Sequence, residues 1–224
     1  MTSTFSLPNI VTIVRMLLVF VVVILAYGHT VWDKLLAALF AVLIVVGDWL
    51  DGHLARKLDK ASTLGSVLDI AADRILETVM WIILADLDLI PIWIPVVVIS
   101  RGILTDSIRG FVLQFGYSGF GSHTLQKSRI GKFVTGSPIM RTGYALVKAF
   151  SFGWLLLFEA LSQVGARWEM FDAGLIATAL KIGYWAAILA AVLCLVRGVP
   201  VVIEGIAIIR REEARVKGSD SVGH

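Results

Sequence analysis

The chain has 224 residues and a formal net charge of +3. Hydrophobic residues make up 58% of it and charged residues 17%, against about 45–50% and about 25% in soluble domains. This excess of apolar residues excludes a soluble globule and a disordered chain. The single cysteine, Cys194, excludes a secreted domain stapled by disulfides. We assign the surplus of positive charge to membrane topology and anionic headgroups, and we expect no nucleic acid partner.

Six apolar stretches are each about 20 residues or longer, the length that crosses about 30 Å of hydrocarbon. They lie at 8–28, 34–56, 66–86, 90–115, 137–162 and 173–208. No basic region precedes the first stretch, so we expect it to remain in the chain and not to be cleaved as a signal peptide. The sequence therefore predicts an all-α integral membrane protein with six transmembrane helices.

Lysine and arginine are concentrated in the even-numbered connections and in the C-terminal tail. They are Arg56, Lys57, Lys60, Lys127, Arg129, Lys132, Arg210, Arg211, Arg215 and Lys217. The positive-inside rule then places both termini in the cytoplasm. We expect a multi-pass protein of the inner membrane. We divide the chain into a membrane domain at 1–209 and a charged cytoplasmic tail at 210–224. The glycine-rich stretch 116–136 is predicted to be a mobile cytoplasmic loop.

Four aspartates lie within a short segment around the second connection. Asp48 and Asp51 are three residues apart, and Asp69 and Asp73 are four apart, so each pair occupies one face of its helix. The connection between the two helices is short, so the helices are predicted to be antiparallel neighbours. We therefore expect the four carboxylates to converge at one depth on the cytoplasmic side.

Such a cluster needs a compensating cation, because an aspartate at the bilayer centre costs about 2.5–3.5 kcal/mol and like charges repel. Hard divalent cations prefer carboxylate oxygens, and the nearest histidine, His53, is offset on the helix. The pattern therefore favours Mg²⁺ or Mn²⁺ over zinc. On spacing alone, two other interpretations stay open: structural ion pairs with arginine, and the binding site of a cation or metabolite transporter.

Three residues beside Asp51 favour a phosphate ligand. Gly52 lies inside a helix, where glycine costs up to about 1 kcal/mol relative to alanine, and close approach of a ligand to the backbone is a reason to retain it. Ala55 keeps the same face small. Arg56 lies one turn beyond Gly52 and can offer a bidentate guanidinium to a phosphate.

The spacing of these residues resembles the signature of the CDP-alcohol phosphatidyltransferase family, D-x2-D-G-x2-A-R-x8-G-x3-D-x3-D. All eight fixed positions are matched, by Asp48, Asp51, Gly52, Ala55, Arg56, Gly65, Asp69 and Asp73. A looser likeness, most similar to phosphatidylglycerophosphate synthases, extends over Leu7-Pro8-Asn9, Thr12, Arg15, Arg101, Arg109 and Gly131-Lys132.

The resemblance implies an enzyme that displaces CMP from CDP-diacylglycerol with an alcohol, using two Mg²⁺ or Mn²⁺ ions. The implied metal ligands are Asp48, Asp51, Asp69 and Asp73. Asp73 is also the implied general base on the acceptor hydroxyl. Glu77, one turn beyond Asp73, is a candidate for orienting a metal ligand or an arginine.

The same resemblance implies how the CDP-lipid is bound. Arg56 would bind the diphosphate. Gly52 and Gly65 would leave room for the cytidine, and Ala55 would pack at its edge. The resemblance also allows a homodimer, and membrane lipids are expected as further partners.

Basic residues in the second half of the chain indicate a small anionic alcohol as the acceptor. The candidates are Arg101, Arg109 and Lys132, and the likeness implies sn-glycerol 3-phosphate. Inositol phosphate or another polyol stays open, because Ile70 and Arg74 stand where phosphatidylglycerophosphate synthases usually have proline and lysine.

Overall fold

A computed structural model describes the backbone of residues 7–58, 63–114, 128, 131–168 and 172–220. Within these ranges, the side chains at 7–9, 11, 45–58, 63–66, 69, 132, 165–168 and 216–220 lie outside the description. The described backbone contains six long helices: α1 Leu7–Ala26, α2 Val31–Leu58, α3 Thr63–Asp86, α4 Trp93–Leu113, α5 Pro138–Trp168 and α6 Ala173–Asp220. No β-strand occurs in these ranges, and the all-α class is confirmed.

Each predicted apolar stretch contains most of one helix, but several boundaries differ from the prediction, and α5 continues to Trp168, six residues beyond the stretch that ends at 162. Helix α6 continues to Asp220, twelve residues beyond the apolar stretch that ends at 208. The last residues of the predicted loop 116–136 form a short π-helical turn, Lys132–Gly136, directly before α5. The rest of that loop, apart from Ser128 and Gly131, lies outside the described residues.

The lengths and surfaces of the helices suit a membrane. Among the described segments, Pro138–Val164 and Ala173–Arg215 are long and apolar enough to span a bilayer, and Thr12–Ala26 is apolar but shorter. Large apolar side chains are also widely exposed, for example Trp32 at 75% and Ile139 at 76%. Apolar surface on this scale is far more than a monomeric soluble protein presents to water.

A capping box begins α2 at its first turn. The Thr30 Oγ1 accepts a hydrogen bond from the Asp33 backbone N–H at 3.1 Å, and the Asp33 carboxylate accepts one from the Thr30 N–H at 3.0 Å. These bonds satisfy two backbone donors that the helix itself leaves unpaired. Hydrogen bonding by the Thr30 side chain, and then by its backbone, lowers the pKa of Asp33 below its usual value.

The described chain divides into two compact units, and the first comprises Met1–Pro95 and Lys148–Ala187. Here α1 packs against both α2 and α3. The buried rings of Trp81 and Phe152 join α3 to α5, edge to face, with their centroids 4.8 Å apart. A Cβ on Gly153 would lie 2.8 Å from the Val42 side chain, so this glycine permits α5 to approach α2 closely.

The second unit comprises Val96–Val147 and Ile188–His224. Its core is an apolar cluster between α4 and the second half of α6. Ile108 and Val112 from α4 are buried there with Val201 and Ile208 from α6. Lipid tails are as apolar as these side chains, so it is the van der Waals packing of this cluster that holds the two helices together within the unit.

Candidate active site

The structure places the acidic signature on two helices of the first unit. The backbone positions of Asp48, Asp51, Gly52, Ala55 and Arg56 lie in α2, and those of Gly65, Asp69 and Asp73 lie in α3. Four residues separate the end of α2 from the start of α3. Because α1 packs against both α2 and α3, it can bring a side chain of its own to the signature residues on those helices. Of the eight signature side chains, the described part of the chain includes that of Asp73.

Arg15 of α1 contacts Asp73 directly. Its Nη2 donates to the Asp73 Oδ1 at 3.0 Å. The Arg15 side chain is 5% exposed, whereas that of Asp73 is 50% exposed. A buried guanidinium therefore contacts the carboxylate of a half-exposed aspartate. This arrangement fixes the orientation of the group that the family likeness implies as general base.

Arg15 belongs to the looser family likeness, but no role was predicted for it from the sequence. The signal was available, since Arg15 is the one ionisable side chain within the apolar sequence of α1. An ionisable residue inside an apolar span is expensive and is expected to have a partner. Spacing along the sequence could not identify that partner, because Asp73 lies 58 residues away.

A second charged group lies one turn along α3 from Asp73. Glu77 is buried, and its carboxylate lies 3.4 Å from both the Arg74 Nη1 and the Lys148 Nζ of α5. Glu77 was predicted as a candidate to orient a metal ligand or an arginine, and the structure pairs it with Arg74. Lys148 was missed. The ion pair gives α5 a polar attachment to the same face of α3 that carries Asp73.

The implied metal ions can be tested against the chemistry of these residues. Asp48, Asp51, Asp69 and Asp73 offer carboxylate oxygens alone, the donor set that Mg²⁺ and Mn²⁺ prefer. The half-exposed Asp73 carboxylate is accessible to such an ion. Among the described side chains no group of three His, Cys, Asp or Glu residues lies together, and this set excludes three of the four aspartates. The donor chemistry fits, and the ligand assignment stays a prediction.

The acceptor candidates lie in the second unit. Arg101 packs against α6 at Gly198, where a Cβ would lie 2.5 Å from the Arg101 Nε and 2.8 Å from its Cγ. Within the described part of the chain, this Nε is buried and has no hydrogen-bond partner. A buried, unpaired donor of a cation is costly, and an anion is its natural complement.

Arg197, next to Gly198, is a residue that sequence analysis did not identify. Its Nη1 donates to the Met140 carbonyl at 3.2 Å, and its guanidinium lies 5.4 Å from the centre of the Tyr144 ring. Its Nε, like that of Arg101, is buried without a partner among the described residues. An arginine within an apolar helix was the available signal, as it was for Arg15.

Electrostatics connects these arginines into one basic cluster. The charges of Arg101, Arg109 and Arg141 all act on Arg197, so each of the three lies within electrostatic range of Arg197 in the second unit. Like charges at short range repel unless an anion compensates them. Lys132 begins the π-helical turn of this unit, and its side chain lies outside the described residues.

Comparisons with known proteins agree with the signature. The family model of the CDP-alcohol phosphatidyltransferases matches residues 5–209. A protein of Bacillus subtilis (strain 168) named CDP-diacylglycerol--glycerol-3-phosphate 3-phosphatidyltransferase is 29% identical over 188 residues, covering 75% of this chain and 94% of its own length.

Two further proteins of the same name give shorter matches. The one from Pseudomonas fluorescens is 29% identical, over 50% of this chain and 58% of its own length. The one from Escherichia coli (strain K12) is 26% identical, over 63% of this chain and 77% of its own length. Because the family model matches most of this chain, the chain belongs to the CDP-alcohol phosphatidyltransferase family and is a transferase of phospholipid biosynthesis.

Proposed function

We propose that this enzyme transfers the phosphatidyl group of CDP-diacylglycerol to sn-glycerol 3-phosphate, releasing CMP and forming phosphatidylglycerophosphate. The observation that carries the chemistry is the Arg15–Asp73 contact, which presents an oriented carboxylate on the helix that completes the family signature. The names of the relatives support the acceptor, as does the cluster of arginines in the second unit.

In this proposal Asp73 takes the proton from the acceptor hydroxyl. The hydroxyl oxygen forms a bond to the phosphorus attached to diacylglycerol, the bond from that phosphorus to the oxygen shared with CMP breaks, and CMP leaves. Arg15 holds the Asp73 carboxylate in position during the proton transfer. Such a reaction depends mainly on alignment and on neutralising the phosphate charge.

The remaining signature residues bind the CDP-lipid. Asp48, Asp51 and Asp69, with Asp73, would hold two Mg²⁺ or Mn²⁺ ions, which when bound neutralise charge on the diphosphate. Arg56 binds the diphosphate as a fixed cation. Gly52 and Gly65 leave space for the nucleotide, and Ala55 packs at its edge.

The acceptor phosphate is assigned to the basic cluster of the second unit. Arg101, Arg109 and Lys132 bind it, and Arg197 adds a fourth cation. The support comes from the buried Nε atoms of Arg101 and Arg197, which have no hydrogen-bond partner among the described residues and which an anion would complement.

We further propose six transmembrane helices, with both termini and the site on the cytoplasmic side of the inner membrane. The lengths of α1 to α6 support this arrangement, since about 20 residues are enough to span the hydrocarbon. The distribution of lysine and arginine supports the orientation. A homodimer stays a prediction.

The direct test is release of CMP by the purified full chain. CDP-diacylglycerol and Mg²⁺ or Mn²⁺ are supplied with glycerol 3-phosphate, inositol phosphate, glycerol or no acceptor. We expect release with glycerol 3-phosphate, and its loss in Asp73→Asn while binding of the CDP-lipid is partly retained. Release with inositol phosphate instead would replace the acceptor but keep the reaction. No release with any acceptor, together with movement of labelled substrate into liposomes, would show the transporter that the aspartate spacing alone left open.

A further inference from the structure

A chain of hydrogen bonds connects Glu204, on α6, to the segment just before the π-helical turn. The Glu204 Oε1 accepts hydrogen bonds from the Ser128 hydroxyl at 2.5 Å and from the Ser128 backbone N–H at 3.3 Å. The Ser128 hydroxyl in turn accepts one from the Gly131 N–H at 2.9 Å. A carboxylate on a long helix is thereby connected to the residue that precedes Lys132. All of these groups belong to the second unit.

Gly131 permits this contact because it has no side chain. It is buried, and a Cβ at this position would lie 2.6 Å from the Glu204 Oε1 and 2.7 Å from the Ser128 Oγ. Its φ of −57° and ψ of −46° are open to any residue, so backbone freedom does not explain the glycine. What requires glycine here is the space that the Glu204 carboxylate and the Ser128 hydroxyl occupy.

The same segment leads without interruption into the next helix. The Gly131 carbonyl accepts a hydrogen bond from the Thr135 hydroxyl, and the Ser137 N–H donates to the Phe133 carbonyl at 3.1 Å. Lys132, at the start of the turn, is therefore held on both sides: by Glu204 through Ser128 and Gly131, and by the turn's own hydrogen bonds. Its backbone has little freedom while these contacts persist.

We propose that Glu204 is a positioning residue for acceptor binding, because it anchors Ser128 and, through Ser128, Gly131, the residue directly before Lys132, and so positions Lys132 for the anionic acceptor. This inference rests on the proposed function, in which Lys132 binds the acceptor. A carboxylate repels an anionic substrate unless its own negative charge is compensated. The Ser128 backbone N–H and hydroxyl donate hydrogen bonds to the Glu204 carboxylate and so stabilise its charge.

The test compares Glu204→Ala and Glu204→Gln in the full-length enzyme, with Glu213→Ala as the matched control at an exposed position of the same helix. We expect Glu204→Ala to raise the KM for the acceptor about tenfold, the equivalent of about one charged hydrogen bond, with the KM for CDP-diacylglycerol changed by less than about twofold. Glu204→Gln keeps an oxygen that accepts from Ser128, so it should recover most of the loss. Glu213→Ala should match wild type.

Hydrogen exchange of the amides of Ser128 and Gly131 gives a readout that does not depend on activity. We expect both amides to exchange faster in Glu204→Ala than in wild type, and to be unchanged in Glu213→Ala. If Glu204→Ala fails to fold, Ser128→Ala removes the middle of the same chain of bonds and should raise the acceptor KM in the same way.

Three results would overturn the inference: an unchanged acceptor KM in Glu204→Ala, equal increases in both KM values, or unchanged amide exchange. Failure of the proposed function looks different. If wild type uses another alcohol and not glycerol 3-phosphate, the acceptor assignment is wrong, but the KM for the alcohol that is used and the amide exchange still decide the role of Glu204.

Discussion

Replacing Arg15 by methionine tests whether this side chain orients Asp73. Methionine keeps much of the length and volume of the buried side chain but removes its donors. The Nη2–Oδ1 contact of 3.0 Å is lost, and Asp73, at 50% exposure, can rotate toward solvent. We expect the variant to fold and bind CDP-lipid, and to turn over more slowly.

The size of the effect follows from the burial of the two partners. Removing one member of a fully buried pair costs about 3–5 kcal/mol, whereas exposed pairs are worth about 0.2–1 kcal/mol. Arg15 is buried but Asp73 is half exposed and regains water, so the stability cost should be near the lower range, about 1 kcal/mol. In a chain of this length, that lowers the thermal midpoint by about 2–4 °C. Loss of alignment at the general base should lower kcat by about tenfold or more.

The assay is CMP release under saturating substrates, together with thermal unfolding of the same preparations. Arg215→Met is the matched control, because that side chain is 82% exposed on the C-terminal part of α6. In a double-mutant cycle with Asp73→Asn, the two changes in midpoint should be less than additive. Wild-type kcat in Arg15→Met, with additive changes in midpoint, would refute the positioning role.

Two further predictions follow from the fold. Gly198→Ala introduces a methyl group 2.5 Å from the Arg101 Nε and should raise the KM for the acceptor more than the KM for CDP-diacylglycerol. Gly143→Ala, where a Cβ has nothing within 4 Å, should change neither KM. Equal effects of the two substitutions would show that Arg101 does not belong to the acceptor site. The folded state lowers the pKa of Asp33, so the stability that its capping box contributes is fully present above the unfolded pKa of about 3.9. This stability is lost as the pH falls through the lower pKa of the folded state. Asp33→Ala should therefore lower the thermal midpoint more at pH 7 than at pH 3. An equal loss at both pH values would contradict the assigned ionisation.

The helices were predictable because apolar stretches of membrane length are a strong local signal. The family was predictable because Asp48 to Asp73 match eight positions at fixed spacing. The C-terminal end of α6 was not predicted, because the predicted boundary was set where the apolar sequence ends. The segment from Arg210 to Asp220 is polar but rich in helix formers, with Glu212 and Arg215 paired at 3.8 Å across one turn, so the helix continues.

The contacts of the site were harder to predict, because they join residues far apart in the sequence. Arg15 with Asp73, Lys148 with Glu77, and Ser128 with Glu204 are separated by 58, 71 and 76 residues respectively. A charged residue in an apolar helix indicates that a partner exists, but only the packing of α1 on α3, or of α5 and α6 on their neighbours, identifies it.

Direct measurement of Mn²⁺ binding tests the central claim, that carboxylates on α2 and α3 share bound metal. Electron paramagnetic resonance reports free Mn²⁺ during titration of the purified protein in detergent. We expect saturable binding of two ions by wild type and weakened binding in Asp48→Asn, Asp51→Asn and Asp69→Asn, with Asp172→Asn, an exposed residue outside the signature, unchanged. Equal Mn²⁺ affinity in wild type and all three signature variants would show that these carboxylates hold no common metal, and the account of the active site would fail.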